Sequence, residues 1–224
     1  MSLSLAESLK SQTWALHTEL ERSTLMRSLL RGEMKRTPYC ALLRNLHAIY
    51  SILEPLLELH AAHPGVAPVF FPELFRSQTL ADDLAELHGA GWFEEIAPQP
   101  AARRYVQHLG EAVAHRPGLL VAHAYVRYLG DLSGGQMLRR IVAGGLQLID
   151  GRGTRFYDFG SPAEVALRVR AFRAGLAGLS LQAADVAAIV AEAIASFRLH
   201  QELFDELTGA AQSPEQAAGV TPAN

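Results

Sequence analysis

The chain has 224 residues, 49% of them hydrophobic, and a formal net charge of −3, which suits one sizeable core in a single domain. That balance gives no bulk attraction to nucleic acid or an anionic membrane, and the single cysteine, Cys40, excludes an intramolecular disulfide. The N-terminus lacks a basic stretch followed by an apolar run, and no uncharged apolar segment is long enough to span a bilayer, so a soluble cytoplasmic protein without a membrane anchor is expected.

Apolar residues recur at helical spacing along the chain, and no run alternates convincingly as a strand. This predicts an all-α, single-domain bundle over residues 1–208, followed by a small, polar, proline-containing tail over 209–224 expected to be disordered. A first helix covers residues 5–22. Thr37-Pro38 marks the next start, with proline in the first turn, and Leu42, Leu43, Leu46, Ile49, Tyr50, Leu53, Leu56 and Leu57 form its apolar stripe. Pro55 is expected to bend that helix, which ends near His63-Pro64-Gly65. A proline-punctuated connector follows, then short helices over 79–87 and 100–115. A long apolar helix begins after Pro117. Ser161-Pro162-Ala163-Glu164 is a capping box whose helix ends near Gly178, and a last helix covers 182–207.

The helix after Pro117 carries the most informative letters, Tyr125-Val126-Arg127-Tyr128-Leu129-Gly130-Asp131-Leu132-Ser133-Gly134-Gly135-Gln136. A glycine inside a helix costs about 1 kcal/mol relative to alanine, so three together imply something large and rigid lying against bare backbone. A flat macrocycle such as heme answers that description. Leu132-Ser133-Gly134-Gly135-Gln136 also spells the signature peptide of ABC-type ATPases, but the chain has no G-x-x-x-x-G-K-[ST] loop to cradle phosphates. That likeness is coincidental.

His17 and Glu21 stand four residues apart on the first helix, so a carboxylate can orient the imidazole through one nitrogen while the other binds iron. Lys10 lies seven residues before His17, on the same face and roughly 10 Å away along the axis, a separation that suits an iron at one end and a propionate at the other. Spacing alone leaves open a surface histidine with a helix-pairing glutamate and a solvated lysine. Asp131 is a carboxylate in an apolar helix, either buried with partners or exposed beside Arg127. The remaining histidines show no metal-ligand spacing, and most read as surface or core-edge residues. No nucleophile–base triad is visible.

Four separated motifs resemble the biliverdin-forming heme oxygenases over residues 5–207. They are the glycine segment with His123-Ala124 before it, Leu16-His17-Thr18-Glu19-Leu20-Glu21, Val66-Ala67-Pro68-Val69-Phe70-Phe71-Pro72-Glu73-Leu74, and Leu203-Phe204-Asp205-Glu206-Leu207. The resemblance implies a bundle holding heme b between a proximal helix and a glycine-kinked distal helix. It implies His17 as the iron ligand with Glu21 behind it, and Gly130 and Gly134 against the distal face. Asp131 would hold a distal water network with Tyr50 and Arg127, while Lys10, Tyr125 and Arg173 take the propionates. Where the family often has a second basic residue, one turn before that arginine, this chain has Val169, with Arg168 and Arg170 beside it as candidate substitutes. The implied reaction cleaves heme, both cofactor and substrate, to biliverdin, ferrous iron and carbon monoxide with O2, and suggests iron acquisition.

Electrons would come from an external donor such as ferredoxin or a flavin reductase, for which Arg139 and Arg140 offer a basic docking face. Two other functions compete. A heme carrier would keep His17 and the propionate contacts without needing Asp131. A non-heme iron enzyme would need E-x-x-H pairs, but Ala61 and Ala114 follow Glu58 and Glu111 at that spacing.

Overall fold

Helix α1 (Leu5–Glu21) begins at a capping box, in which the Ser4 side chain accepts from the Glu7 amide and the Glu7 carboxylate accepts from Ser4. These bonds satisfy donors that a helix N-terminus otherwise leaves orphaned. The computed structural model describes residues 4–212. A seven-residue helix α2 (Thr24–Leu30), capped by Ser23, follows at once. It closes on Gly32 at φ +68°, with the Gly32 and Glu33 amides donating to the Leu29 and Ser28 carbonyls, and it is too short for the apolar pattern of the sequence to reveal it.

Helix α3 (Arg36–Leu59) runs unbroken through Pro55. Its stripe of Leu43, Ile49, Tyr50 and Leu53 is fully buried and forms the middle of the core. Buried Glu54 accepts from the backbone amide of Ser77, the first residue of α4 (Ser77–Leu87), so a carboxylate from one helix neutralises the positive end of another. The connector between them is two 3-10 turns, Ala67–Val69 and Pro72–Leu74. A single turn α5 (Trp92–Glu95) and helix α6 (Pro100–His115) come next.

The predicted long helix is α7 (Leu120–Ala124), a wider π-type turn over Tyr125–Leu129, and α8 (Gly130–Gly145). The irregularity therefore lies just before the glycines rather than at them. Gly130 itself has helical φ −61° and ψ −51°. Insertions of this kind cluster at functional sites because they re-aim side chains without ending a helix.

Helix α9 (Pro162–Ala177) starts at the expected Ser161–Glu164 capping box, and α10 spans Ala183–Gln212. The final helix thus continues past Leu207, the predicted end, and the expected disordered tail is helical through residue 212. Its remainder lies outside the described residues. α10 packs along α1 and α6, and α3 packs on α4 and α6. At Gly175 an added Cβ would fall 1.8 Å from the Pro68 carbonyl oxygen, so only glycine lets α9 seat against that turn. Among the described residues there is no strand, and no helix is long and apolar enough to cross a membrane.

Candidate functional site

α1, α8 and α10 enclose a cleft with two adjoining parts. One, of about 300 Å³, is lined by His17, Glu21, Arg127, Gly130, Asp131, Gly134, Phe197 and His200. The other, of about 440 Å³, is lined by Lys10, His17, Tyr125, Gly130 and Arg173. His17, Gly130 and Phe197 belong to both. Both volumes fall in the range of small-molecule sites. Every residue singled out for the site except Tyr50 therefore lines this cleft, and Tyr50 reaches it through Asp131.

On the α1 side, the His17 Nδ1 atom is buried with no hydrogen-bond partner. It lies 3.6 Å from a Glu21 carboxylate oxygen. A small rotation closes that gap into a hydrogen bond, fixing the Nδ1–H tautomer and leaving Nε2 as an unprotonated donor. Phe197 of α10 packs edge-on against the ring at 6.1 Å.

On the α8 side, a Cβ built on Gly130 would meet nothing within 4 Å, and one on Gly134 would meet only Leu138 at 3.8 Å. Both would project into the cleft, so backbone forms its wall. Gly135 differs: its added Cβ would lie 3.2 Å from the Tyr157 carbonyl oxygen, which makes it a packing residue. The three glycines thus divide into two that clear the cleft and one that admits the neighbouring 3-10 turn, Arg155–Tyr157.

Asp131 is not an exposed helix acid. Tyr50 donates its hydroxyl to one carboxylate oxygen, and Arg127 Nη2 donates to the other at 2.9 Å. Burial pushes the carboxyl pKa up, an effect that Arg127 and the Tyr50 hydroxyl oppose. Burial alone would lower the Arg127 guanidinium, but Asp131 and Tyr50 outweigh it and hold it above its ordinary value. The Arg127 guanidinium and the Tyr50 hydroxyl are thus the groups bonded to Asp131 that oppose the effect of burial on it. Tyr50, fully buried, is raised well above the usual phenol range by burial and stays a donor.

His200 lines the cleft and Tyr128 is buried beside Tyr50, ring centroids 5.9 Å apart; the sequence singles out neither. His200 is fully buried rather than at the surface or core edge. Its Nδ1–H donates to the Ser196 carbonyl at 2.9 Å, and its Nε2 accepts from Arg127 at 2.9 Å. Burial, assisted by the Arg127 charge, drives its pKa well below the ordinary value, so it is a neutral acceptor that holds the arginine. Tyr128 is 1% exposed, and its hydroxyl has no hydrogen-bond partner. A tyrosine among leucines looks like core in a sequence, and His200 lies 73 residues from the arginine it meets; neither carries a local signal.

Other expectations are corrected. Arg168 gives its guanidinium to the Phe159 carbonyl, and neither Arg168 nor Arg170 lines the cleft, so the place of Val169 stays apolar. His123 is 1% exposed and is likewise no surface residue. Arg139 is paired with Asp158 at 2.8 Å, which leaves Arg140 as the exposed member of that pair of arginines.

The family profile of heme oxygenase matches residues 3–206. The chain is 39% identical over 209 residues to heme oxygenase 1 of Nostoc sp., covering 93% of this chain and 88% of that one. It is 38% identical to human heme oxygenase 1 over 228 residues, covering 98% and 79%. Among solved structures, heme oxygenase-2 from Synechocystis sp. in complex with heme and NO superposes with a TM-score of 0.89 at 38% identity, covering 96% and 90%. The heme oxygenase of Leptospira interrogans gives 0.87 at 33%, covering 91% and 100%. The chain belongs to the heme oxygenase family.

Proposed function

We propose that this protein opens the heme ring to biliverdin, releasing ferrous iron and carbon monoxide, with O2 and electrons from an external donor. The observation that carries the reading is a cleft with a histidine on one wall and bare glycine backbone on the other, beside a buried carboxylate fixed by two partners. A carrier needs the first two features only.

Bound heme supplies the iron at which O2 is activated and the meso carbon that is oxidised. His17 Nε2 is the protein ligand to that iron, and Glu21 steadies it through Nδ1. Gly130 and Gly134 would leave room for a flat ring against bare backbone, where larger side chains would fill the cleft. Lys10, Tyr125 and Arg173, gathered in one part of the cleft, take the two propionates. Held there, the propionates would fix the rotation of the ring within the cleft.

Asp131 would order water in the cleft and relay protons through that water. Its carboxylate is an acceptor on a rigid mount, because Arg127 and Tyr50 each occupy one oxygen and His200 fixes Arg127 from behind. Such preorganised polar groups stabilise developing charge without reorganising during reaction. The Tyr128 hydroxyl, buried without a protein partner, adds a donor that ordered water can satisfy. A histidine at this position would offer its own proton and a competing ligand; the chain places none between Gly130 and Gly134.

The electron donor is a ferredoxin or flavin reductase that meets the exposed end of α8 near Arg140. We place the protein in the cytoplasm, where the product iron serves iron acquisition from heme. Incubating the full chain with hemin, a reductase and ferredoxin tests the reading: biliverdin and carbon monoxide support it, and an unaltered heme complex under working reductant overturns it.

A further inference from the structure

Outside the heme cleft, one group of side chains has the composition of a metal site. His108 of α6, His123 of α7 and Glu192 of α10 bring one ligand atom each to within 4.8 Å of one another. His108 Nε2 and His123 Nε2 stand 2.7 and 2.8 Å from the same Glu192 oxygen, Oε1. We propose that these three residues bind one divalent first-row transition ion, of the zinc, cobalt or ferrous class, which clamps α6, α7 and α10 together.

Charge points to a cation. The Glu192 side chain is 10% exposed, and the two histidines are its only ion-pair partners among the described residues. No lysine or arginine balances it. A divalent cation would take the place of the protons that join these three groups, since metal ligands bind deprotonated. A buried carboxylate with no cationic partner is costly, and a divalent ion removes that cost.

The surroundings also suit an ion. The Tyr105 hydroxyl lies 3.1 Å from His123 Nδ1 and 2.6 Å from Ser196 Oγ. Without an ion His123 Nε2–H donates to Glu192; with one bound, the same chain would hold the imidazole with Nδ1–H donating to Tyr105, Tyr105 donating to Ser196, and Nε2 turned to the metal. Metal-bound histidines are held in this way through their second nitrogen. The His108 side chain is 38% exposed and gives solvent a route in. Ligand atoms about 2.0–2.2 Å from one tetrahedral ion stand roughly 3.3–3.6 Å apart, so both imidazole nitrogens must draw back slightly from the shared Glu192 oxygen. Rotation of the half-exposed His108 and of the Glu192 carboxylate accomplishes this. Two imidazoles and one carboxylate leave positions for water and favour zinc, cobalt or iron over magnesium or calcium.

The test is a Co2+ titration of the untagged, heme-free full chain, read by visible ligand-field absorption and by thermal melting. The expected result is one ion per chain, displaced by Zn2+, with a raised Tm. His108→Ala should weaken binding by at least about tenfold and abolish the bands, while hemin binding stays unchanged. His60→Ala should leave the titration as it is. A His108→Ala protein that binds Co2+ as tightly as the wild type overturns the proposal. So does a wild type that takes up no ion, or shows no ligand-field bands, at micromolar metal. Because His108 is half exposed, its variant should fold even if Glu192→Gln does not.

Discussion

Arg127 Nη2 donates to the Asp131 carboxylate at 2.9 Å within one helical turn, with both side chains about nine-tenths buried. Arg127 Nη1 meets His200 of α10, so the guanidinium ties the distal helix to the helix that bears Phe197. Removing one partner of such a pair leaves a buried charge uncompensated. Arg127→Met should destabilise the fold by about 3 kcal/mol, measured by urea unfolding; a loss below about 0.5 kcal/mol would mean that the pair is effectively solvated.

Asp131→Ala separates binding from chemistry. Hemin affinity should change little, because no proposed iron or propionate contact is removed. The rate of biliverdin formation should fall at least about tenfold, as when a preorganised polar group is deleted from an active site. Single-turnover absorption spectra supply both readouts, and an unchanged biliverdin yield would remove Asp131 from the account.

Glycines in the same family of helices should respond with opposite signs. Gly130→Leu places a side chain in open space on a helical backbone, so stability should hold or rise by about 0.5–1 kcal/mol. Hemin binding should nevertheless be lost. Gly175→Ala drives a Cβ into the Pro68 carbonyl and should destabilise by about 1–3 kcal/mol without a specific effect on heme. Thermal melts paired with hemin titrations check both; a Gly130→Leu protein that still binds hemin normally refutes the role of bare backbone.

The α-helical class and most helix starts are legible in the sequence because each has a local cause, whereas Tyr50, Tyr125 and Arg173 are reached only through the family resemblance. Ser161-Pro162-Ala163-Glu164 starts a helix by its own chemistry, and Gly130 and Gly134 stand out because glycine is costly in a helix. The π-type turn at Tyr125–Leu129 has no such mark; its residues are ordinary helix formers, and the extra width comes from packing. His200 and Tyr128 are invisible for a related reason, since their roles come from residues distant in the chain. The last helix was read too short because Gly209 and the small residues after it weaken its pattern.

Asp83 gives a pH-dependent term. It is fully buried, accepts from the Arg155 and Phe156 amides at 2.9 and 2.8 Å, and has its pKa pushed by burial from 3.8 up to about 6. Its folded pKa exceeds its unfolded one, so the native state holds the extra proton between those values. Stability from this group is greatest below about pH 4 and is lost as pH rises through about 6. The loss is about 3 kcal/mol by linkage. Asp83→Asn should abolish that component, so the wild type should lose stability relative to the variant between those pH values in urea unfolding. Parallel pH profiles would contradict the assignment.

His17→Ala should leave the fold intact, because the side chain is 40% exposed. The hemin complex should lose its histidine-ligated spectrum and regain it when imidazole is added. An unaltered spectrum in the variant would place the iron ligand elsewhere.

The most direct measurement titrates the full chain with hemin and then supplies reductant and oxygen while following the visible spectrum and released carbon monoxide. The account predicts a stoichiometric complex whose Soret band decays as biliverdin absorption appears and carbon monoxide is evolved. A complex that persists unchanged under a working electron supply would contradict it and make the protein a heme carrier.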